Sequence, residues 1–279
     1  MKSFIGVQYG RGATATLVTQ GPALAPKKVK EMYPDANWHM VTVPELDEEL
    51  WGKDRFGENF EVQKAIVKET PTNSHILIGG DHSVNFGHFS ALANQLPNED
   101  LCLIYIDAHL DIHTPESSKA EASGAPHGTN VRALLGNGDS RWLTLQQKKS
   151  TLKPGNLFYI GSRSYEPSEI SFVKGNNVYM REAKELPDES AWQKVVTEIK
   201  NKIGDKKYII SFDFDAIDPE IFKDVLVPEK DGISLDAAEY FIKAFSPNAH
   251  GIEFVEYSPT GDKKSSDIVK RLIDICLKN

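Results

Sequence analysis

Short runs of consecutive apolar residues, separated by segments of helical period, constrain this chain more than any other feature. The runs are Ser3–Gln8, His75–Ile78, Leu101–Ile106, Asn156–Ile160, Tyr208–Phe212 and His250–Val255, with a weaker one at Trp38–Val43. A strand with one wet face alternates apolar and polar residues. These runs do not, so both faces must be covered, as in a parallel sheet between helical layers. The segments Asn59–Glu69, Val84–Leu96, Thr129–Gly136, Glu189–Ile203, Ser234–Phe245 and Ser266–Leu277 read as the covering helices. In the last of these, Ile268, Val269, Leu272, Ile273 and Cys276 form a stripe, and Ser234 and Ser266 are candidate N-caps. The alternation predicts an α/β fold, a three-layer α/β/α sandwich with a mostly parallel sheet and right-handed crossovers. No repeat or linker divides residues 1–279, so one domain is expected. The polar stretches 114–127 and 224–232 read as loops within it.

Three of the runs end in clusters of aspartate and histidine. His82 stands in Gly79-Gly80-Asp81-His82-Ser83, Asp107, His109 and Asp111 in Asp-Ala-His-Leu-Asp, and Asp213 and Asp215 in Ser-Phe-Asp-Phe-Asp. In open parallel sheets, ligands bind beyond the carboxyl ends of the strands, and all three clusters fall there. Four carboxylates and two imidazoles suit two divalent cations that share ligands, a pair that makes hydroxide from water near neutral pH. Fully extended, Asp107 and Asp111 would lie about 13 Å apart, whereas paired metals sit about 3.5–4 Å apart. The strand must therefore end near Asp107 and the chain must curl back. Asp213 and Asp215 share a face about 6–7 Å apart. Carboxylate and imidazole donors suit Mn²⁺, Fe²⁺, Co²⁺ or Zn²⁺, and the excess of carboxylate favours a harder ion.

At these residues the chain resembles the ureohydrolases: arginase, agmatinase, guanidinobutyrase and formiminoglutamase. The likeness runs from Gly79 to Pro259 through three motifs in order. It implies a parallel sheet of about eight strands and two Mn²⁺ ions, other divalent ions fitting the same donors. His82, Asp107, Asp111 and Asp213 would hold one ion. Asp107, His109, Asp213 and Asp215 would hold the other. The stretch Ser123-Gly124-Ala125-Pro126-His127-Gly128-Thr129 resembles the loop that carries the family's histidine, so His127 would pass a proton to the leaving amine. Glu256, in Ile252-Glu253-Phe254-Val255-Glu256-Tyr257-Ser258-Pro259, would pair with a guanidinium, and Asp111 would steady the attacking hydroxide.

The resemblance implies hydrolysis of the guanidinium C–N bond of a small guanidino substrate, with L-arginine favoured over agmatine and other guanidino acids, and formiminoglutamate after them. The substrate readers are altered. His113 and Ala125 stand where arginases carry Asn, Ser123 is kept, Ser164 replaces one acidic residue, and Glu166 stands for the other. The family is usually trimeric or hexameric, which makes a homo-oligomer the expectation. Two readings from other classes remain: a two-metal phosphoesterase, which would need cationic clamps that are sparse near the clusters, and a non-catalytic metal-binding relative.

The net charge of −8 argues against a general affinity for nucleic acid or acidic membranes. No run reaches the 18 or so apolar residues of a membrane span. Cys102 and Cys276 both fall in apolar runs and read as buried thiols, which suits the cytoplasm. The N-terminus reads as a first strand followed by a Gly-rich loop.

Overall fold

The computed structural model describes residues 2–13, 21–44, 54–96, 100–118, 123–146 and 152–278. Its strands are β1 (Ser3–Gly6), β2 (Trp38–Met40), β3 (His75–Ile78), β4 (Leu101–Ile106), β5 (Leu157–Ser162), β6 (Tyr179–Glu182), β7 (Lys207–Asp213) and β8 (Gly251–Val255). They form one sheet in the order β2-β1-β3-β8-β7-β4-β5-β6, and each neighbouring pair is parallel. Helices provide the crossovers: α1 (Ala25–Met32), α2 (Arg55–Glu69), α3 (Val84–Gln95), α4 (Pro126–Leu134), α5 (Ser140–Leu143), α6 (Pro167–Gly175), α7 (Glu189–Ile203), α8 (Leu235–Phe245) and α9 (Lys263–Lys278).

The reason the strands are apolar throughout is visible in how they divide between the two faces. Ile76, Ile104, Ile106, Ile210 and Phe212 pack with Val29 of α1, Ile199 of α7, Phe241 of α8 and Leu272 of α9. Their neighbours in sequence turn the other way: Leu103, Tyr105 and Ile209 meet Phe86 and Phe89 of α3 and Trp142 of α5, while Leu77 meets Val62 and Ile66 of α2. With a helical layer on each face, no strand position in the middle of the sheet has water to face.

Four elements, α1, α5, α6 and β6, carry no such signal in the sequence. The edge strand β6, Tyr-Met-Arg-Glu, is half-buried along its length, and α6 opens with Pro167 at its first turn. The expected cap at Ser234 is present, its hydroxyl accepting from the Ala237 N–H at 3.1 Å. Ser266 is not a cap: α9 begins at Lys263, and Asp262 accepts from the Ser265 N–H. Likewise α4 begins at Pro126 rather than Thr129, because proline is well suited to a first helical turn. Of the polar stretch 114–127, residues 119–122 lie outside the described residues. Among the described residues no helix is long and apolar enough to cross a membrane.

The strand order matters for function. Strands β3, β8, β7 and β4 are adjacent although far apart in sequence, and His82, Glu256, Asp213 and Asp107 follow or end them in turn.

Candidate metal centre

Each cluster is set in place by local backbone. Gly80 lies so close to the N-terminal loop that a Cβ there would sit 1.6 Å from the Tyr9 carbonyl oxygen. That approach lets the Asp81 N–H reach Tyr9 O at 3.0 Å and leaves His82 at the start of the turn into α3. Beyond β4 the chain curls as its spacing requires, with Asp111 at φ +48°. Glu256, just past β8, has φ +61°, and its N–H donates to Gly80 O at 2.8 Å. Left-handed backbone at non-glycine residues is costly and gathers at functional sites. Two of the four such residues described here are Asp111 and Glu256.

The side chains converge in two groups. His82 Nδ1 lies 2.9 Å from Asp107 Oδ2, 3.1 Å from Asp213 Oδ2 and 3.5 Å from Asp111 Oδ2. His109 Nδ1 lies 2.9 Å from Asp215 Oδ2 and 3.5 Å from Asp107 Oδ1. Ligand atoms of His82, Asp107 and Asp111 fall within 4.8 Å of one another, as do those of Asp107, His109 and Asp215, so Asp107 belongs to both groups. All four aspartates are buried.

These residues fit a pair of cations. One proton on His82 Nδ1 cannot serve three carboxylates. Moreover Asp107 Oδ2 is buried and makes no well-formed hydrogen bond, despite its 2.9 Å approach to that nitrogen. Electron pairs that face each other at this distance need a positive charge between them. The electrostatics agree. Burial, and then the neighbouring Asp215 and Asp107, push the Asp213 carboxyl far above the usual range. Burial and Asp107 push Asp111 up to about 7. Burial would also raise Asp107, but His109 and His82 outweigh it and hold that carboxyl low.

A second set of side chains aims the first. Tyr105 Oη donates to Asp111 Oδ2 at 2.8 Å, and Asn130 Nδ2 reaches the same oxygen at 3.3 Å. Ala108 N–H donates to Asp215 Oδ1, and Asp213 Oδ1 accepts from the Asp215 N–H. His82 Nε2 lies 2.7 Å from Ser211 Oγ. Metal-binding imidazoles usually donate their other N–H in this way, which fixes the tautomer. Ser211 lies inside the third motif, yet nothing in its spacing marked it for this contact.

His127 opens α4 beside the centre. Its Nδ1 and its backbone N–H both point at Gly12 O, at 3.2 and 3.1 Å. The carbonyl fixes the proton on Nδ1 and leaves Nε2 with its electron pair. Burial, then the nearby His109, lowers the ring to about 4. Glu256 Oε1 accepts from the His82 N–H at 2.9 Å, and burial with Asp81 beside it drives its pKa well up.

The expected substrate readers form a rim. His113 is buried, with Nε2 3.2 Å from Glu169 Oε2 and 3.4 Å from Glu166 Oε1. Glu166 also accepts from Ser118 Oγ. Ser123 lies in the turn before α4, with its carbonyl against Gly128. Ser164 Oγ donates to Glu229 Oε1 at 3.0 Å, and that carboxylate stands 3.6 Å from His109 Nε2. Sequence reasoning did not single out Glu229. Arg163 lies behind these residues in the chain of contacts, at the end of β5. It binds backbone carbonyls, among them Asp215 O and Glu229 O at 2.7 Å.

Residues 5–277 match the sequence profile of the Arginase family. The chain belongs to that family of amidino hydrolases. It is 28% identical over 273 residues to the arginase of Entamoeba histolytica, covering 92% of this chain and 90% of that one. To rat arginase-1 it is 29% identical over 292 residues, covering 95% and 87%. In structure it resembles the Entamoeba histolytica arginase solved with L-ornithine, with TM-score 0.85, 24% identity and full coverage of both chains. It also resembles the formimidoylglutamase of Bacillus subtilis, with TM-score 0.77 and 20% identity, covering 100% of this chain and 87% of that one. These likenesses bear out the α/β/α sandwich with its parallel eight-stranded sheet.

Proposed function

We propose that this arginase-family chain is a binuclear manganese hydrolase that cleaves the guanidinium C–N bond of L-arginine to give L-ornithine and urea. The observation that carries the reading is the meeting of His82, Asp107, Asp111, Asp213, His109 and Asp215 at the ends of adjacent strands, with Asp107 common to both groups. When bound, the cations would supply hydroxide near neutral pH and stabilise the negative charge on the attacking oxygen. His82, Asp107, Asp111 and Asp213 would hold one ion, and Asp107, His109, Asp213 and Asp215 the other.

The remaining steps belong to the chain's own side chains. Asp111, steadied by Tyr105 and Asn130, accepts a proton from the attacking water and keeps that oxygen aimed at the carbon. Glu256 has one oxygen on the His82 N–H and offers the other to the guanidinium, whose planar fork matches a carboxylate. His127, its ring orientation fixed by Gly12 O, would take up a proton at the free Nε2 electron pair, from the hydroxyl of the attacked carbon, and pass it to the leaving amine. Each of the two products then carries its protons without a free alkoxide or amide ever forming.

A second reading, a guanidino amine such as agmatine, is favoured by the rim. His113 Nε2 stands 3.2 Å from Glu169 and 3.4 Å from Glu166, and the carboxylates of Glu166 and Glu229 suit a cationic tail. Urea release from the Mn²⁺-loaded protein, offered L-arginine and agmatine in parallel, separates the two. His127→Ala should lower turnover at least tenfold with either substrate. Formamide from formiminoglutamate, or no product from any of the three, would sink the reading. The trimer or hexamer and the cytoplasmic location rest on resemblance and on two buried thiols. Light scattering of the purified chain checks the assembly, and fluorescence imaging of a tagged chain in its own cells checks the location.

A further inference from the structure

Behind His82 a chain of buried polar groups crosses the sheet toward its other end. Ser211 on β7 stands in register with Glu253 on β8, and Glu253 with Leu77 on β3, so their side chains share the face covered by α3. From that helix His88 Nδ1 lies 2.6 Å from Glu253 Oε2, and Asn85 Nδ2 donates to Oε1. Gly251 leaves room for the ring: a Cβ there would meet His88 at 3.3 Å. His88 Nε2 lies 2.9 Å from His75 Nε2, and His75 Nδ1 lies 2.8 Å from Asn73 O. Ser211, Glu253, His88 and His75 are all buried, and Ser211 stands beside Glu253 across the β7–β8 pair.

Counting protons along this chain gives a definite answer. The Asn73 carbonyl can only accept, so His75 Nδ1 carries a hydrogen. Two ring nitrogens 2.9 Å apart must share one hydrogen, and so must His88 Nδ1 and Glu253 Oε2. That makes three hydrogens on two rings and a carboxyl group. Two neutral rings beside a carboxylate hold only two. The extra proton balances the charge of Glu253, which a buried site otherwise tolerates poorly.

We propose that Glu253, His88 and His75 form a buried triad that stores one proton and, through Ser211, determines which nitrogen of His82 faces the cation site. With Glu253 ionised, the Ser211 hydroxyl donates to it and its oxygen accepts from His82 Nε2–H. Nδ1 is then left as the free electron pair aimed at Asp107 and Asp213. A neutral Glu253 could donate instead, turn Ser211 round and place the hydrogen of His82 on the wrong nitrogen. Burial would raise Glu253, but the His88 contact outweighs it and holds the carboxyl low, while burial and then His88 lower His75 to about 3. With the His75 Nδ1 hydrogen held by Asn73 O, the other two hydrogens lie in the His75–His88 and His88–Glu253 contacts, so both of them meet His88. These are positioning residues, and the inference rests on the reading of His82 as a cation ligand.

The test uses full-length, metal-free protein with ¹⁵N-labelled histidine. At pH 7.5 one ring, identified by its loss in His88→Asn, should carry hydrogen on both nitrogens, and Glu253→Gln should make it neutral. Titration with Mn²⁺ should then show one equivalent bound about 10- to 100-fold more weakly in Glu253→Gln, with the other unchanged. Glu253→Asp should restore both results. If Glu253→Gln does not fold, His88→Asn gives the same metal readout, since Asn keeps a donor for Glu253 but lacks the proton. A neutral His88 in the wild type, or unchanged Mn²⁺ affinity in the folded variants, overturns the triad. A wild type that binds no Mn²⁺ counts against the proposed function, and the state of the His88 ring still decides the triad.

Discussion

Arg163 should be one of the most stabilising side chains outside the hydrophobic layers, and its replacement gives a quantitative test of how the site is held. Its five N–H groups meet five backbone carbonyls: Nε reaches Lys230 O at 2.8 Å, one terminal nitrogen reaches Gly161 O and Ala216 O at 3.2 Å, and the other reaches Asp215 O and Glu229 O at 2.7 Å. The guanidinium thus ties the end of β5 to the backbone of a metal-site residue and to the loop that carries Glu229. A hydrogen bond from a charged group contributes about 1.5–3 kcal/mol net. The three short contacts would sum to roughly 4.5–9 kcal/mol on that scale, but water can replace the partners at the exposed end, and contacts that share one side chain are not additive. A loss of about 3 kcal/mol is expected for Arg163→Met, read as a fall in the melting temperature of about 6–10 °C. Arg163→Lys should recover little, because a point charge with three donors cannot span five carbonyls. Metal-free protein should be used, so that ion binding does not mask the difference. A loss below 1 kcal/mol in Arg163→Met, or a lysine variant as stable as wild type, would refute the clamp.

Mn²⁺ at a hundred times its dissociation constant should raise the stability by about 2.7 kcal/mol per independent site, because it removes repulsion among Asp107, Asp111, Asp213 and Asp215; equal melting temperatures with Mn²⁺ and with a chelator would count against a metal centre. Gly80→Ala should cost about 3 kcal/mol or more, since its Cβ would strike the Tyr9 carbonyl, whereas Gly155→Ala, with nothing within 4 Å, should stay within about 0.5 kcal/mol by urea unfolding. The lowered pKa of His75 predicts that its contribution to stability is whole above pH 6.5 and is lost as pH falls toward 3, because there the unfolded chain binds the extra proton. His75→Asn should therefore flatten the stability profile over that window, and parallel wild-type and variant profiles would contradict it.

The parts of the molecule that could be read from sequence are those where one physical demand fixes residue type and position together. Leu101–Ile106 reads as a central strand because burial on both faces leaves no polar position. Asp107, His109 and Asp111 read as ligands because they crowd the end of that strand. The edge strand Tyr179–Glu182 meets no such demand: its side chains are half-exposed, so Arg181 and Glu182 are tolerated and the apolar run disappears. The support behind the site is harder still to read. Ser211 and His82 are 129 residues apart, and His88 and Glu253 are 165 apart. Only the strand order β3-β8-β7-β4 brings them together, and no local spacing records that order.

Glu253 and Glu256 make the point most sharply. They lie three residues apart in one short apolar stretch, and each is a carboxylate with a plausible claim on a guanidinium. The alternation of β8 turns Glu253 inward to Asn85 and His88, where it cannot reach a substrate. Glu256 lies one residue past the strand and is turned toward the centre by a left-handed backbone whose N–H is held by Gly80 O. Residue type alone could not separate a carboxylate buried against His88 and Asn85 from one turned toward the candidate metal centre. What separates them is the alternation of β8 at Glu253 and a left-handed φ at Glu256, and the contact that holds the latter comes from a glycine in a different motif.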